Sequence, residues 1–298
     1  MGSGSWSSTS YVNHSTSVRG FDSMDSFLTA STQELYRSHK LQSCLNPYKT
    51  NRECVDSAEH PNTIPVILAL DVTGSMGSAA SAVAKQLNNI MENLYNKVTD
   101  VEFMTMAIGD FSYDSAPLQV SQFESDIRIA EQLEKIYFEA GGGGNKWESY
   151  TAAWYYALNH TSLDCWKRGK KGIIITMGDE MLNPYLPKSS IHRFIGDYVQ
   201  GDVDTNDLYN QVIKKFDVYH LGIDDENTMF NCYKEKIQSS FGKLLGQRYI
   251  PTTLNKLPEV ITAIVMDSLN SNGDNFTVLS SEITEVHTTV DSNGYISW

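Results

Sequence analysis

The chain has 298 residues, of which 41% are hydrophobic and 20% charged. That balance excludes fibrous and fully disordered classes and leaves room for one large α/β domain or two small ones. Against 23 Lys and Arg stand 36 Asp and Glu, a formal charge of −13, which opposes attraction to nucleic-acid phosphates and to anionic membranes. No nucleic-acid partner is expected. The longest apolar run, Ile64 to Leu70, is broken by Pro65 and falls far short of the ~20 residues that span a bilayer. The first residues show neither the basic start nor the apolar stretch of a secretory signal, so a cytoplasmic location is expected and the sequons at Asn13, Asn159 and Asn275 carry no meaning. Cys44, Cys54, Cys165 and Cys232 form no C-x-x-C pair, so free thiols are expected rather than a zinc or redox site.

Residues 1–63 are rich in Ser, Thr and Asn, with one weak helical stretch near Ser23 to His39, and read as an arm packing on a domain over 64–270. From Ile64 a continuous apolar run predicts a strand buried on both faces. It is followed by Asp71-Val-Thr-Gly-Ser-Met-Gly77 and then by Ala80, Val83, Leu87, Ile90, Met91 and Leu94 at helical spacing. The strand, polar loop and helix recur. Val101 to Ile108 predicts a strand ending in Gly109-Asp110, and Ile127 to Phe138 a helix. The loop Gly141 to Ser149 leads into an apolar helix over Tyr150 to Leu158. Lys171 to Met177 predicts a strand ending in Gly178-Asp179-Glu180, and Lys215 to Leu221 another, followed by a helix over Tyr233 to Leu245. A short strand at Arg248 to Ile250 and a helix at Leu257 to Leu269 complete the pattern, and residues 271–298, without Lys or Arg, form an acidic tail. Alternating strands and helices predict a doubly wound, mostly parallel sheet flanked by helices, with ligands at the carboxyl ends of the strands.

At that rim the sequence places Asp71, Thr73 and Ser75 at alternate positions of a tight loop. Their oxygens suit a hard cation such as Mg²⁺, which takes few protein carboxylates and leaves a position for a water or a partner's oxygen. The competing reading makes the same residues helix caps, with Gly74 and Gly77 turning the chain. The motif itself leaves both open.

Asp71-x-Thr73-x-Ser75 after an apolar strand resembles the metal-ion-dependent adhesion site of von Willebrand factor A domains. The resemblance covers roughly residues 64 to 268 and implies a Rossmann-like fold in which two further loops complete the shell around Mg²⁺ or Mn²⁺. Asp179 matches the third-loop aspartate. The second loop departs from the family: Gly141 to Gly144 supply glycines, but Glu148, with Ser149 beside it, stands where a Thr is expected. A carboxylate there would strengthen the hold on the ion and weaken the ion's pull on a partner's acid. The combination, with the upstream segment Arg52 to Asn62, is similar to a group of bacterial and phage proteins of this family. It implies a non-catalytic module that binds a protein partner through the metal, and a MoxR-type AAA ATPase is one partner the resemblance suggests.

Two other readings compete with this one. The loop Asp71-Val-Thr-Gly-Ser75 also resembles the phosphorylation loop of P-type ATPases in the haloacid-dehalogenase fold, with Asp71 a nucleophile and Asp179 holding Mg²⁺. Those enzymes need a further acid where this chain has Asn183, and most carry Asp where Thr73 stands. The other rival is a structural assembly subunit, of a phage particle or a bacterial complex, with a degenerate metal loop. Asp110 and Asp114 read as solvated turn formers, Glu180 is in a similar position, and His60 and His220 read as structural. Of the aromatic cluster Trp147, Tyr150, Trp154, Tyr155 and Tyr156, most reads as core, with Trp147 a candidate contact anchor.

Overall fold

The computed structural model describes residues 4–139, 145–225 and 230–270, together with the backbone of two short strand segments, 289–290 and 296–297. Gly141 to Gly144, and nearly all of the acidic tail, lie outside the described residues.

Six strands form the central sheet: β1 (Ile64–Asp71), β2 (Val101–Ile108), β3 (Leu118–Val120), β4 (Gly172–Gly178), β5 (Phe216–Ile223) and β6 (Tyr249–Thr252). Their spatial order is β6-β5-β4-β1-β2-β3, all parallel except β3, which runs antiparallel on the edge beside β2. This is the doubly wound, mostly parallel sheet that the alternation of strands and helices predicts. Chain order reverses between β1 and β4, and in such sheets the crevice outside the strands' carboxyl ends opens at that point.

The uninterrupted apolar character of β1 follows from burial on both faces. Val66, Leu68 and Leu70 meet Val83, Leu87 and Met91 of α1 (Gly77–Tyr95) and Val260, Ile261 and Ile264 of the C-terminal helix (Leu257–Asn270), while Ile67 and Ala69 join the core on the other face. That second core is built on the helices Thr151–Asn159, Thr205–Val212 and Phe230–Leu245. Pro65 is tolerated because pairing of β1 with β4 begins only at Val66, so at position 65 the strand has one neighbour in the sheet.

The segment before β1 lies along α1. Tyr11 Oη donates to the Ala84 carbonyl at 2.7 Å, Tyr36 Oη to Ala80 at 2.8 Å and Thr32 Oγ1 to Gly77 at 2.9 Å. Its abundant hydroxyls cap short helices: Ser23 and Ser31 each close a reciprocal capping box, with Ser26 and Glu34. Arg52–Cys54 pairs in parallel with Thr161–Leu163, and Arg52 Nη2 donates to the carbonyls of Cys44 and Val120, both at 2.8 Å. All four cysteines are free thiols.

Three features differ from the sequence-based expectation. The helix predicted over Ile127 to Phe138 is confined to Arg128–Leu133, because the Gln119 side chain takes both peptide groups of Tyr137, accepting from its N–H at 2.9 Å and donating to its carbonyl at 2.7 Å. The edge strand β3 carries too few residues to show a period. The helices Lys188–Phe194 and Thr205–Val212, between β4 and β5, have no counterpart in the pattern read from the sequence. Among the described residues no helix is long and apolar enough to cross a membrane.

Candidate functional site

The carboxyl ends of β1, β2 and β4 bring the motif residues to one rim. Asp71 is the last residue of β1, fully buried, opposite Ile108 of β2. The chain then tightens: Thr73 N and Thr73 Oγ1 both donate to Asp71 Oδ1, at 2.9 and 2.6 Å, and Gly74–Met76 forms a 3₁₀ turn into α1. Neither Thr73 nor Met76, at the cap positions of that turn and of α1, makes a side-chain capping bond. The motif hydroxyls face carboxylates instead, since Ser75 Oγ donates across the crevice to Asp179 Oδ1 at 3.2 Å.

Asp179 follows β4 directly and is itself fully buried. Burial, together with the neighbouring Asp179 charge, pushes the Asp71 carboxyl far above the usual carboxylate range, and the Thr73 and Tyr150 hydrogen bonds only partly offset this. Two carboxylates buried side by side at a strand switch point are costly unless a proton or a cation compensates them.

Glu148 arrives from the other side. Trp147 and Glu148 form a two-residue parallel pair with Met181 and Leu182, which anchors the second loop beside the third. Glu148 is 1% exposed, and its Oε2 is buried with no hydrogen-bond partner among the described residues. Burial raises its carboxyl strongly, and Asp71 is the charge that adds most to this, ahead of Glu180, Asp110 and Asp114. Ser149 is committed elsewhere, its Oγ accepting from Phe111 N at 3.0 Å and so bracing the β2 loop.

All five motif-derived residues, Asp71, Thr73, Ser75, Glu148 and Asp179, thus stand around one rim. Among the described residues no three His, Cys, Asp or Glu side chains form a metal cage by themselves.

Tyr150 was read as core and is also part of the rim. Its Oη donates to Asp71 Oδ2 at 2.8 Å and accepts from Glu180 N at 3.3 Å. The ring passes so close to Gly178 that a Cβ there would overlap the phenol. A glycine at the end of a buried strand was the sequence signal for this approach. Tyr150 also packs edge-on against His220, at 4.9 Å between ring centroids, and His220 stacks on Phe241 at 3.7 Å. His220 Nδ1 lies 2.8 Å from Thr176 Oγ1, and burial holds its imidazole neutral, well below the ordinary value.

Asp110 and Asp114 are not the solvated turn formers expected from sequence: they are 1% and 9% exposed. Asp114 Oδ2 turns back to accept from Asp110 N at 2.7 Å, while Asp110 accepts from Ser112 N at 2.7 Å and from Asn145 Nδ2 at 2.5 Å. These bonds stabilise the loop and use up its donors. Glu180, half-buried, is raised to about 7 by burial and by Asp179 and Asp110. His60 bridges Asp100 and the Gly4 carbonyl, at 3.3 and 2.8 Å. Trp147 is half-buried, whereas Tyr150, Trp154, Tyr155 and Tyr156 are buried.

No protein-family model matches the chain, and no curated protein matches it. Among solved structures it is similar to the pilus adhesin SpaC from Lactobacillus rhamnosus GG in its open conformation, at 16% identity and a TM-score of 0.47, over 74% of this chain and 31% of that one. It is also similar to proximal thread matrix protein 1 from the mussel byssus, at 13% identity and a TM-score of 0.43, over 73% of this chain and 49% of that one. A further similarity is to the vWF domain of the type V pili tip protein Mfa5 from Porphyromonas gingivalis, at 11% identity and a TM-score of 0.41, over 72% of this chain and 97% of that one. The chain spans about a third of the length of the SpaC adhesin it matches. These likenesses describe the path of the backbone and nothing of the chemistry at the rim.

Proposed function

We propose that the chain is a non-catalytic, metal-dependent protein-binding module. Asp71, Thr73, Ser75, Glu148 and Asp179 supply the oxygens that hold Mg²⁺ or Mn²⁺ at the carboxyl rim. The ion, when bound, supplies a Lewis-acidic position that an oxygen of a partner protein completes.

The observation that carries this reading is Glu148 Oε2, buried near the Asp71 carboxylate and without a hydrogen-bond partner among the described residues. Buried polar atoms are normally satisfied, and an orphaned carboxylate oxygen calls for a ligand. The donor set fits a hard divalent cation: it holds only carboxylate and hydroxyl oxygens, with no thiol or imidazole among them. Each residue has a definable task. Asp71 and Asp179 bring charge from the two strands at the switch point, Thr73 fixes the Asp71 carboxylate, Ser75 bridges to Asp179, and Glu148 brings a third carboxylate from the second loop.

Calorimetry with Mg²⁺ and with Mn²⁺ on the wild type and on Asp71→Ala tests the reading, alongside melting with each ion and with EDTA. Saturable binding lost in Asp71→Ala, and a melting temperature that rises with the ion, support it, because a ligand bound only by the native state stabilises that state. Absence of binding by a folded wild type would overturn it and favour a structural assembly subunit.

A further inference from the structure

We infer that Glu148 makes this rim reject carboxylates, so that the oxygen with which a partner completes the cation's shell is neutral, a hydroxyl or an amide carbonyl. This rests on the metal-dependent reading above. The argument begins from charge. Asp71 and Asp179, with Glu148 buried nearby, carry three formal negative charges against the two positive charges of the ion, so the loaded site is left net negative. Around it stand Asp110, Asp114 and Glu180, which with Asp71 are the charges acting most strongly on Glu148. The nearest base along the chain, Lys146, holds its ammonium 5.1 Å from the Tyr233 ring centroid.

Geometry ties Glu148 to the site independently of that count. The parallel pair of Trp147–Glu148 with Met181–Leu182 fixes its backbone next to the Asp179 loop. Its side chain is 1% exposed, and its Oε2 has no partner among the described residues. A threonine at this position would leave two carboxylates against the two charges of the ion, a neutral shell that does not repel an incoming acid. A buried glutamate adds a third negative charge, and in a partly desolvated crevice the repulsion between like charges is only weakly screened. The complement of this rim is a neutral oxygen set among Lys or Arg side chains.

The test uses Mn²⁺ as the ion and acetate as the carboxylate probe. Calorimetry first establishes Mn²⁺ binding by the wild type and by Glu148→Thr. Water-proton relaxation of the Mn²⁺-loaded proteins is then followed as acetate is added, since a carboxylate entering the shell displaces relaxing water. We expect acetate to displace water from Glu148→Thr at concentrations that leave the wild type unchanged, a difference in acetate affinity of about tenfold or more. Equal displacement from both proteins, or from neither, would overturn the inference. A wild type that binds no Mn²⁺ would instead overturn the metal reading, and the two failures are distinct. Glu148→Gln, close to the wild type in volume, repeats the comparison if Glu148→Thr does not fold.

Discussion

Tyr150 reaches across the top of Gly178 to donate its phenolic proton to Asp71 Oδ2 at 2.8 Å. One side chain thereby joins three parts of the rim: the end of β1, the end of β4 and the start of the helix that follows the second loop. Because both Asp71 oxygens accept hydrogen bonds, Oδ1 from Thr73 and Oδ2 from Tyr150, the carboxylate is held in one orientation. Partners of this kind fix a metal ligand's direction and tune its basicity.

Gly178→Ala should therefore act through Tyr150. The added methyl meets an aromatic ring already packed against His220 and Phe241, and overpacking of this kind costs roughly 1–3 kcal/mol. Urea denaturation of Gly178→Ala, of Tyr150→Leu and of the double variant checks it. The expected result is strong non-additivity, the alanine costing much less once the ring is gone. Additive costs would mean that Gly178 is required for some other reason.

His220 predicts an acid-sensitive core. Its imidazole is buried, its Nε2 has no hydrogen-bond partner among the described residues, and burial lowers its proton affinity well below the ordinary value. As pH falls through about 6.5 the unfolded chain takes up a proton that the folded chain refuses. The stability due to neutral His220 is thus fully present above that pH and is lost below it, by about 1.4 kcal/mol per pH unit. Denaturation of the wild type and His220→Phe between pH 8 and 5 should show the variant less stable at pH 8 and with a shallower acid slope. Parallel slopes would assign the acid sensitivity to other groups.

The strands and the first loop were legible in the sequence for a simple reason. Strands buried on both faces must read as apolar runs, and the loop residues of a doubly wound sheet follow directly after them. Asp71, Thr73, Ser75 and Asp179 were visible as polar punctuation at strand ends. Tyr150 was not, because its ring belongs to an apolar helix start and only its hydroxyl belongs to the rim. The burial of Asp110 and Asp114 was equally hidden: it depends on Asp114 folding back onto the Asp110 amide, a contact within a loop that no periodicity encodes. The shortened Arg128–Leu133 helix depends on Gln119, far away in sequence. Of the two capping boxes, Ser31-x-x-Glu34 matches the usual sequence pattern, whereas the one at Ser23 closes through Ser26 and does not.

Asn183 fastens the third loop to the helix after the second. Its Oδ1 accepts from Thr151 N at 3.2 Å, and its Nδ2 donates to Thr151 Oγ1 at 2.5 Å and to the Tyr185 carbonyl at 3.0 Å. Asn183→Ala removes all three bonds at a buried position and should cost about 2–3 kcal/mol. It should also weaken Mn²⁺ binding, because Glu148 and Asp179 sit on the two segments it holds together. A variant destabilised by this amount but with unchanged Mn²⁺ affinity would show that the loops keep their places without this tie.

Asp71→Asn separates a site residue from a scaffold residue. In the absence of a cation, Asp71 and Asp179 place two carboxyl groups side by side in a buried crevice, an arrangement that lowers stability. The asparagine keeps the Oδ1 acceptor used by Thr73 and removes one carboxylate, while its amide nitrogen gives up the bond that Tyr150 donates to Oδ2. With EDTA present, the variant should melt as high as the wild type or a few degrees higher, about 1 kcal/mol corresponding to ~2–4 °C in a chain of this size. With Mg²⁺ the order should invert, the wild type gaining stability and the variant gaining none. A scaffold role for Asp71 predicts the opposite in EDTA, a clear loss on substitution. A variant that still gained stability from Mg²⁺ would place the ion away from the end of β1.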